Sequence, residues 1–426
     1  MTSVSESFRQ QCPPLQYVPT RSPIHSEAGT VIPRALEVTY EHSMKMWEKM
    51  NALMAEKLDR THSQIVIVPH AHDFSTPLAR SLDTNQIGPY TPGFSTRSIW
   101  PDNEMHVTLE GVQAHVGHTY VVASPTETNS LFELMLTLDA LKHTYNTGCI
   151  TLICPFLTGG RGDKNVDKLG GPQLGEALNI RTVMGMFREY VDRMVVFEPH
   201  SSATQACAAE NNIPLAPFSL GTVMLDHIMQ NGVAKVRGGI QRVKPNPDEF
   251  VLIRPDEGRN RSLKLIERTS KLPSVGFDKT RLSGSETLMN GLTADEIKLV
   301  KGRVGFGYDD EYSTGGTLEK ILDQLREYGM VAFAFMVAHW KGPDNVMGKE
   351  DWRTRIQHPL LTTMAVSNSR APVGSLYKPG TDTLSELAAG IEIVSLVDFI
   401  RQVITADMQG VNFWDDPEWS KLLLQG

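Results

Sequence analysis

The amino-acid sequence predicts an α/β fold built from two tandem units, each with a mostly parallel sheet covered by helices. From residue 63 onward, short apolar runs alternate with amphipathic segments, and the alternation begins again after residue 218. Strands that alternate with helices in this way form parallel sheets, because each helix carries the chain back across the sheet. The length of 426 residues also agrees with two or three domains.

The composition excludes several classes of protein. Hydrophobic residues make up 40% of the chain and charged residues 21%, which is too apolar for an intrinsically disordered protein. The 41 basic and 49 acidic residues give a net charge of −8, which argues against a dedicated nucleic-acid or anionic-membrane binder. The sequence shows neither a membrane-spanning apolar run nor a signal-peptide pattern, and its four cysteines lack paired spacing. We therefore expect a cytoplasmic protein without disulfides, membrane contact or a nucleic-acid partner.

Residues 1–60 are predicted to be an N-terminal extension with one amphipathic helix. The first ~35 residues are rich in Ser, Pro, Thr and Gln without apolar periodicity, as in a poorly ordered arm or a wrapping segment. Between residues 36 and 58, Met and Leu side chains recur at three- and four-residue steps around Trp47. This spacing places them on one face of a helix, which we expect to pack against the core.

Residues 61–217 are predicted to form the first α/β domain. Continuous apolar runs are typical of parallel strands, because helices cover both faces of the sheet. The predicted strands are residues 65–68, 118–124, 149–156 and 193–197, and the predicted helices are residues 129–142 and 175–190.

Residues 218–384 are predicted to form the second domain, with the crossing between the two at residues 214–218. Residues 392–396 and the helix behind them are expected to return to the first domain, completing it near residues 385–410, and residues 411–426 to form a C-terminal tail. In the second domain the predicted helices are residues 218–231, 259–268 and 317–328, and the predicted strands are residues 249–254, 272–278, 303–308 and 330–338.

The most informative segment is residues 304–317, where a strand leads through acidic residues into a glycine-rich helix start. Asp309 and Asp310 stand at the carboxyl end of the strand, where α/β sheets place their ligands. The Thr-Gly-Gly-Thr sequence at a helix N-terminus offers free N–H groups to a phosphate, whereas carboxylates accept hydrogen bonds from sugar hydroxyls. The segment therefore indicates a phosphorylated sugar; an acidic turn followed by an ordinary glycine loop is the alternative.

This loop resembles the D-D-x-x-x-T-G-G-T signature of phosphoribosyltransferases and of ribose-phosphate diphosphokinases, the phosphoribosyl-pyrophosphate synthetases. The synthetases have two tandem domains of the phosphoribosyltransferase-like, Rossmann-like fold, and other segments of the chain are similar to their motifs in the right order. The resemblance extends over residues 63–405. The similar segments are residues 124–142, 154–164, 198–201, 254–258 and 278–281.

The resemblance implies an enzyme that transfers the diphosphoryl group of ATP to the anomeric hydroxyl of ribose 5-phosphate, with Mg²⁺ as cofactor and ATP as co-substrate. It implies catalytic roles for Lys279, Arg281 and His200, and magnesium contacts for His200 and Asp256. The family forms dimers that build to hexamers, so a homo-oligomer with small-molecule substrates is implied.

The resemblance also implies two sets of substrate contacts. The residues that match ATP-binding positions are Trp100, Asp102, Glu104, Arg161 and Asp163. The residues that match ribose-phosphate-binding positions are Asp309, Asp310, Ser313, Thr314, Gly315, Gly316 and Thr317.

Departures from the family pattern leave alternatives open. Gly162 stands where the family usually has Gln, and Trp100 replaces Phe, so the nucleotide pocket is expected to differ in shape. Asn103 replaces a turn glycine, which is tolerable because Asn accepts positive φ. The alternatives are diphosphoryl transfer to a larger acceptor such as ADP-ribose, a non-catalytic regulatory homologue, and phosphoribosyl transfer to a base, which would leave the first unit without a purpose.

Overall fold

The computed structural model describes residues 4–11, 35–58, 63–68, 93–163, 177–236, 240–243, 247–254, 261–277, 279–281, 287–289, 291–312, 316–341, 356–370 and 391–424. The chain divides into two compact units, one of Met1–Phe218 with Val397–Gly426 and the other of Ser219–Leu396. Each contains a mostly parallel sheet with helices packed on it, so the predicted fold class is confirmed.

The strands follow the chain in this order: β1 Ser63–Val68, β2 Gly93–Ile99, β3 Met105–Glu110, β4 His118–Ala123, β5 Cys149–Cys154, β6 Arg193–Phe197, β7 Leu215–Phe218, β8 Val233–Val236, β9 Ile240–Val243, β10 Phe250–Arg254, β11 Ser274–Gly276, β12 Lys279–Arg281, β13 Thr287–Met289, β14 Val304–Tyr312, β15 Ala332–Trp340, β16 Leu361–Ser367 and β17 Ile391–Val394.

The helices are α1 Val4–Gln11, α2 Ala35–Lys57, α3 Thr128–Asp139, α4 Asn179–Phe187, α5 Ala203–Glu210, α6 Gly221–Asn231, α7 Arg261–Ser270, α8 Ala294–Val300, α9 Gly316–Glu327, α10 Val397–Met408 and α11 Pro417–Ser420. A π-helical turn, Ala140–Thr144, continues α3, and a short 3₁₀ turn, Pro247–Glu249, precedes β10. Within the described part of the chain, no helix combines the length and apolar character needed to cross a membrane.

The first unit contains a seven-stranded sheet in the order β3-β2-β1-β4-β5-β6-β7. All neighbouring strands are parallel except β2 and β3, which form an antiparallel hairpin at the edge. On one face, Val121, Leu152 and Met194 pack in a core with Leu134 of α3 and Phe187 of α4. Strands β1, β4, β5 and β6 are buried at every position, as expected when helices cover both faces of a sheet.

Residues 4–11 form helix α1, within the first ~35 residues, which we expected to be a poorly ordered arm or a wrapping segment. Val4 and Phe8 lie four residues apart, so they share one face of the helix, and both are buried against Met46 and Met50 of α2. Burial of these two side chains against the predicted helix stabilises a segment whose own sequence gives little helical signal.

Two further segments of the first unit have structure that the sequence did not predict. Residues 215–218, in the expected crossing at residues 214–218, form edge strand β7, and Leu423 makes a β-bridge to Phe218, after which the second unit begins. Residues 411–424, expected to be a tail, pack on this unit, because Phe413 and Trp419 surround the ring of Phe218 with centroid distances of 5.3 and 5.8 Å.

The second unit contains a six-stranded parallel sheet in the order β11-β10-β14-β15-β16-β17. Strand β17 was expected to complete the sheet of the first unit, but it pairs with β16, with Met364 opposite Ile391. Both of these side chains are buried in the core of the second unit, which accounts for the pairing. Helix α10, which follows β17, belongs to the first unit.

Candidate functional site

Asp309 and Asp310, the two aspartates predicted to bind a sugar, lie near the carboxyl end of β14, a central strand of the second sheet. Strand β14 extends through Tyr312, four residues beyond the predicted end, so Asp309 and Asp310 lie within it and pair alongside β15. The preceding Phe306 and Tyr308 are fully buried, whereas both aspartates are half-buried. The change from buried apolar to accessible acidic side chains therefore occurs at the carboxyl end of the strand, where parallel sheets bind ligands.

Helix α9 begins at Gly316, four residues after β14 ends. Gly316 and Thr317 occupy its first turn, so their backbone N–H groups have no carbonyl acceptor within the helix and form the positive end of its dipole. Ser313, Thr314 and Gly315 lie outside the described residues. The first residues of α9 therefore present backbone N–H donors to an anion.

Buried polar contacts fix the strand ends beside the aspartates. Lys341 forms an ion pair with Glu311, and the rings of Tyr312 and Trp340 stack with centroids 5.1 Å apart. None of these residues was predicted to belong to the site. The available signal was the change from apolar to polar and aromatic side chains at the ends of both strands.

Lys279 and Arg281 lie in strand β12, which pairs antiparallel with β13, Lys279 opposite Met289 and Arg281 opposite Thr287. We expected these two cations on an exposed flexible loop. The two strands form a separate ribbon that starts three residues after β11 ends, and residues 282–286 between them lie outside the described residues. Asp256, the other predicted metal contact, also lies outside them.

His200 follows β6 at the carboxyl edge of the first sheet and is exposed. A Cβ added at Gly160 would lie 3.3 Å from the Cβ of His200, so the loops after β5 and β6 are in contact. Between β6 and His200, the buried Glu198 has a left-handed backbone with φ of 47°. Non-glycine residues hold this conformation at some cost, and such positions cluster at functional sites.

The described residues were tested against the magnesium ion that the resemblance implies. Mg²⁺ prefers oxygen ligands, and in nucleotide sites phosphates and water supply most of them. His200 is exposed at the carboxyl edge of the first sheet, so its imidazole is accessible to a metal bound to a nucleotide. An imidazole in this position fits a metal whose other ligands come mainly from a polyphosphate.

Arg161 and Asp163, predicted to bind ATP, lie in the loop after β5; Arg161 is exposed and Asp163 half-buried. Between them, Gly162 was expected to widen or reshape the nucleotide pocket. A Cβ at Gly162 would lie 2.6 Å from Nδ2 of Asn179, at the start of α4. The space beside this glycine is therefore filled by Asn179, and the glycine permits close packing rather than a wider pocket.

Trp100 stands at the tip of the β2–β3 hairpin with 56% of its surface exposed. The turn is closed by hydrogen bonds from the Trp100 N–H to the Glu104 carbonyl and from the Asn103 N–H to the Trp100 carbonyl, both 2.9 Å. The Asp102 carboxylate accepts from the Glu104 N–H at 3.1 Å. Asn103 has a φ of 68°, which confirms the prediction that Asn replaces a turn glycine here.

The structure brings several predicted residues together within each unit. In the second, Asp309 and Asp310 precede the start of α9, and in the first the loops that carry Arg161 and His200 are in contact. No position of Ser313, Thr314, Gly315 or Asp256 is described.

Comparisons with known proteins were made on the sequence and on the fold. No protein-family model matches the chain. A ribose-phosphate pyrophosphokinase from Pyrococcus abyssi is 27% identical over 247 residues, covering 56% of this chain and 74% of the relative. The same enzyme from Thermococcus kodakarensis is 25% identical over 233 residues, covering 54% and 71%.

The fold is similar to the crystal structure of phosphoribosylpyrophosphate synthetase from Mycobacterium smegmatis. The TM-score is 0.59 at 20% sequence identity, and the alignment covers 81% of this chain and 99% of that chain. The likeness extends over the whole of the solved chain, so it includes both α/β units.

Proposed function

Because this chain is a divergent member of the ribose-phosphate pyrophosphokinase family, we propose that it transfers the diphosphoryl group of ATP to the anomeric hydroxyl of ribose 5-phosphate, releasing AMP. The observation that carries the proposal is the pair of aspartates near the end of β14, followed by the start of α9 at Gly316, four residues after the strand ends. Phosphate and sugar hydroxyls need opposite kinds of partner, and this segment supplies both.

In this proposal Asp309 and Asp310 accept hydrogen bonds from the ribose hydroxyls. The 5-phosphate binds the backbone N–H groups from Ser313 to Thr317, where the dipole of α9 favours negative charge. Both aspartates are half-buried near the carboxyl end of β14, which is the edge where parallel sheets bind ligands.

ATP is proposed to bind residues of the first unit. Trp100 supplies an exposed aromatic face for adenine, and Asp102 and Glu104 shape the turn that presents it. Arg161, exposed on the loop after β5, is proposed to bind the phosphates, with Asp163 beside it.

The chemical step depends mainly on positioning and charge, as in other phosphoryl transfers. Lys279 and Arg281 are proposed to neutralise the transferred group as negative charge shifts between donor and acceptor. Mg²⁺ on the ATP phosphates would neutralise further charge, and His200 and Asp256 are the residues proposed to contact it. A homo-oligomer is part of the same proposal.

One argument for a larger acceptor, based on Gly162, is weakened by the packing around this glycine. It relied in part on Gly162 widening the nucleotide pocket, and Asn179 occupies that space. We therefore retain ribose 5-phosphate as the proposed acceptor.

The test is AMP release by the purified chain with ATP and Mg²⁺, with and without ribose 5-phosphate. We expect AMP to form in step with phosphoribosyl pyrophosphate, and only when the sugar phosphate is present. Lys279→Ala should lower kcat at least a hundredfold. Lys298→Ala is the matched control, because this exposed lysine pairs only with exposed Asp295 among the described contacts.

AMP release that does not need a sugar phosphate would reject the proposal. A higher kcat/KM for ADP-ribose than for ribose 5-phosphate would show that the acceptor is the larger molecule and that the reaction is still diphosphoryl transfer. Full activity of Lys279→Ala would show that Lys279, on the β12–β13 ribbon, takes no part in catalysis.

A further inference from the structure

Glu198, the first residue after strand β6, has an unusual combination of backbone conformation and burial. Six non-glycine residues in the described part of the chain have a positive φ, and five of them are exposed or half-buried. Glu198 is the buried one, with φ of 47° and 4% of its surface exposed. Because a left-handed backbone is unfavourable for a glutamate, it persists only where the surrounding structure enforces it.

Two constraints hold Glu198 in this conformation. Its N–H donates to the Phe218 carbonyl at 2.7 Å, so the pairing of β6 with β7 continues one residue beyond the strand. Pro199 follows and is also buried. The proline ring fixes its own φ and disfavours the right-handed helical conformation for the residue before it. The chain therefore leaves the first sheet in one defined direction immediately before His200.

His200 is also fixed by its other neighbours. The hydroxyl of Ser201 accepts from the Ala203 N–H at 3.3 Å, which connects the residue after His200 to the start of α5. A Cβ at Gly160 would lie 3.3 Å from the Cβ of His200, so the loop after β5 packs directly against it. Residues 191–199 are all buried, and His200 is the first exposed residue after them. One exposed imidazole thus projects from a tightly held backbone.

A loop that only joins a strand to a helix would not need a buried, left-handed glutamate. A glycine or an asparagine at position 198 would adopt the same φ at lower cost. The buried side chain of Glu198 instead anchors the turn from inside the protein. An anchored turn favours ligand binding, because a side chain that is already ordered loses less conformational entropy when it makes its contact.

We propose that Glu198 is a positioning residue, which acts through His200 by fixing the direction in which the imidazole leaves the first sheet. The identity of the ligand, ATP with Mg²⁺ on its phosphates, rests on the proposed function. Its binding can be measured without ribose 5-phosphate and therefore without transfer. Because Glu198 acts only through His200, its effect on binding must disappear when the imidazole is absent.

Calorimetric titration of the full chain with ATP, once with Mg²⁺ and once with excess EDTA, tests the proposal. Glu198→Gly removes the anchor and should weaken binding of Mg²⁺–ATP about threefold to tenfold, the range expected for ordering one side chain. Binding of ATP in EDTA should change less than about twofold. His200→Ala should lose at least as much affinity for Mg²⁺–ATP, and adding Glu198→Gly to His200→Ala should cause no further loss.

Asn212→Gly is the matched control. Asn212 has a positive φ of 56° and lies between α5 and β7, at the amino edge of the same sheet. This variant should bind Mg²⁺–ATP with the affinity of the parent chain. Pro199→Ala is a second test variant that keeps the glutamate and removes the ring constraint, and it should weaken Mg²⁺–ATP binding in the same direction.

Equal losses from Glu198→Gly in the parent chain and in His200→Ala would show a general structural effect and overturn the proposal. Unchanged binding of Mg²⁺–ATP by Glu198→Gly, or by Pro199→Ala if the first variant does not fold, would overturn it as well. The same holds if the parent chain does not bind Mg²⁺–ATP measurably.

The two proposals fail separately. Mg²⁺–ATP binding that depends on Glu198 through His200, without AMP release, would reject the proposed reaction and leave the positioning role standing. AMP release with Mg²⁺–ATP binding independent of Glu198 would reject the positioning role and leave the reaction standing.

Discussion

Arg193 and Asp407 form a fully buried two-point ion pair, with Nη1–Oδ1 at 3.0 Å and Nη2–Oδ2 at 2.5 Å. Arg193 begins β6 and Asp407 lies near the end of α10. The Tyr120 hydroxyl donates to Asp407 at 2.6 Å, and the guanidinium lies 4.7 Å from the ring centroid of Trp47 on α2. One pair of charges therefore connects helices α2 and α10 to the centre of the first sheet.

Replacing Asp407 by Asn should destabilise the first unit by about 3 kcal/mol or more, because Arg193 would keep its charge in a site without water or a counter-ion. Scanning calorimetry of the full chain should show a lower unfolding temperature for this unit. The matched control is Asp295→Asn, which breaks an exposed pair with Lys298 and should cost less than about 1 kcal/mol. Equal unfolding temperatures for Asp407→Asn and the parent chain would contradict the role of the pair.

The stability of the first unit should also depend on pH through this pair. Burial acts to raise the pKa of Asp407, but the charge and hydrogen bonds of Arg193 outweigh it, so the pKa lies below its ordinary value. A lowered pKa stabilises the folded state above the unfolded pKa of about 3.9, and this contribution is lost as the pH falls through the folded value. The difference in unfolding temperature between the parent chain and Asp407→Asn should therefore be constant near neutral pH and shrink below about pH 4. A difference that grows on acidification would show that another group is responsible.

Trp100→Ala should raise the KM for ATP about tenfold, since stacking of a base on an aromatic ring contributes roughly 1–3 kcal/mol. Trp100→Phe should retain most of the affinity. The exposed ring makes little contribution to folding, so the unfolding temperature should not change. Ile99→Ala, which alters the adjacent and equally exposed side chain, serves as the control. The adenine contact would be excluded if both alanine variants had the KM of the parent chain.

Gly162→Ala should destabilise the first unit by about 1–3 kcal/mol, because the added methyl group would overlap Asn179. Combination with Asn179→Gly should recover part of the loss, which thermal unfolding would measure. Gly185→Ala is the matched control within α4: its nearest neighbour would be 4.0 Å away, so the change should be neutral or favourable. A Gly162→Ala chain as stable as the parent would mean that the glycine lines an open pocket after all.

Local patterns were sufficient for much of the fold. The run Arg193–Phe197 was predicted with the bounds that the structure has, because a continuous apolar run is typical of a buried parallel strand. Strand Leu361–Ser367 was missed, since its threonines and serine interrupt the apolar pattern even though most of it is buried. The left-handed backbone of Asn103 followed from the turn glycine of the similar family motif and from the ability of Asn to accept positive φ.

Long-range relationships could not be inferred from the same patterns. Asp407 looks like a solvent-facing acid in an amphipathic helix, and its partner is 214 residues away. Arg254 was named in the sequence only as part of residues 254–258, in which Asp256 was the predicted metal contact. The packing of its side chain over Gly276 became visible only in the structure. Pairing across the chain depends on topology, which periodicity does not encode.

The division of the first unit across the sequence has a consequence during translation. The ribosome makes the whole of Ser219–Leu396 between Arg193 and its counter-ion, so the later unit has all of its strands before the earlier one has its closing helix. Until Asp407 has been synthesised, Arg193 lacks its counter-ion and the apolar face that α10 covers is exposed. Exposed apolar surface of this kind binds chaperones and promotes aggregation.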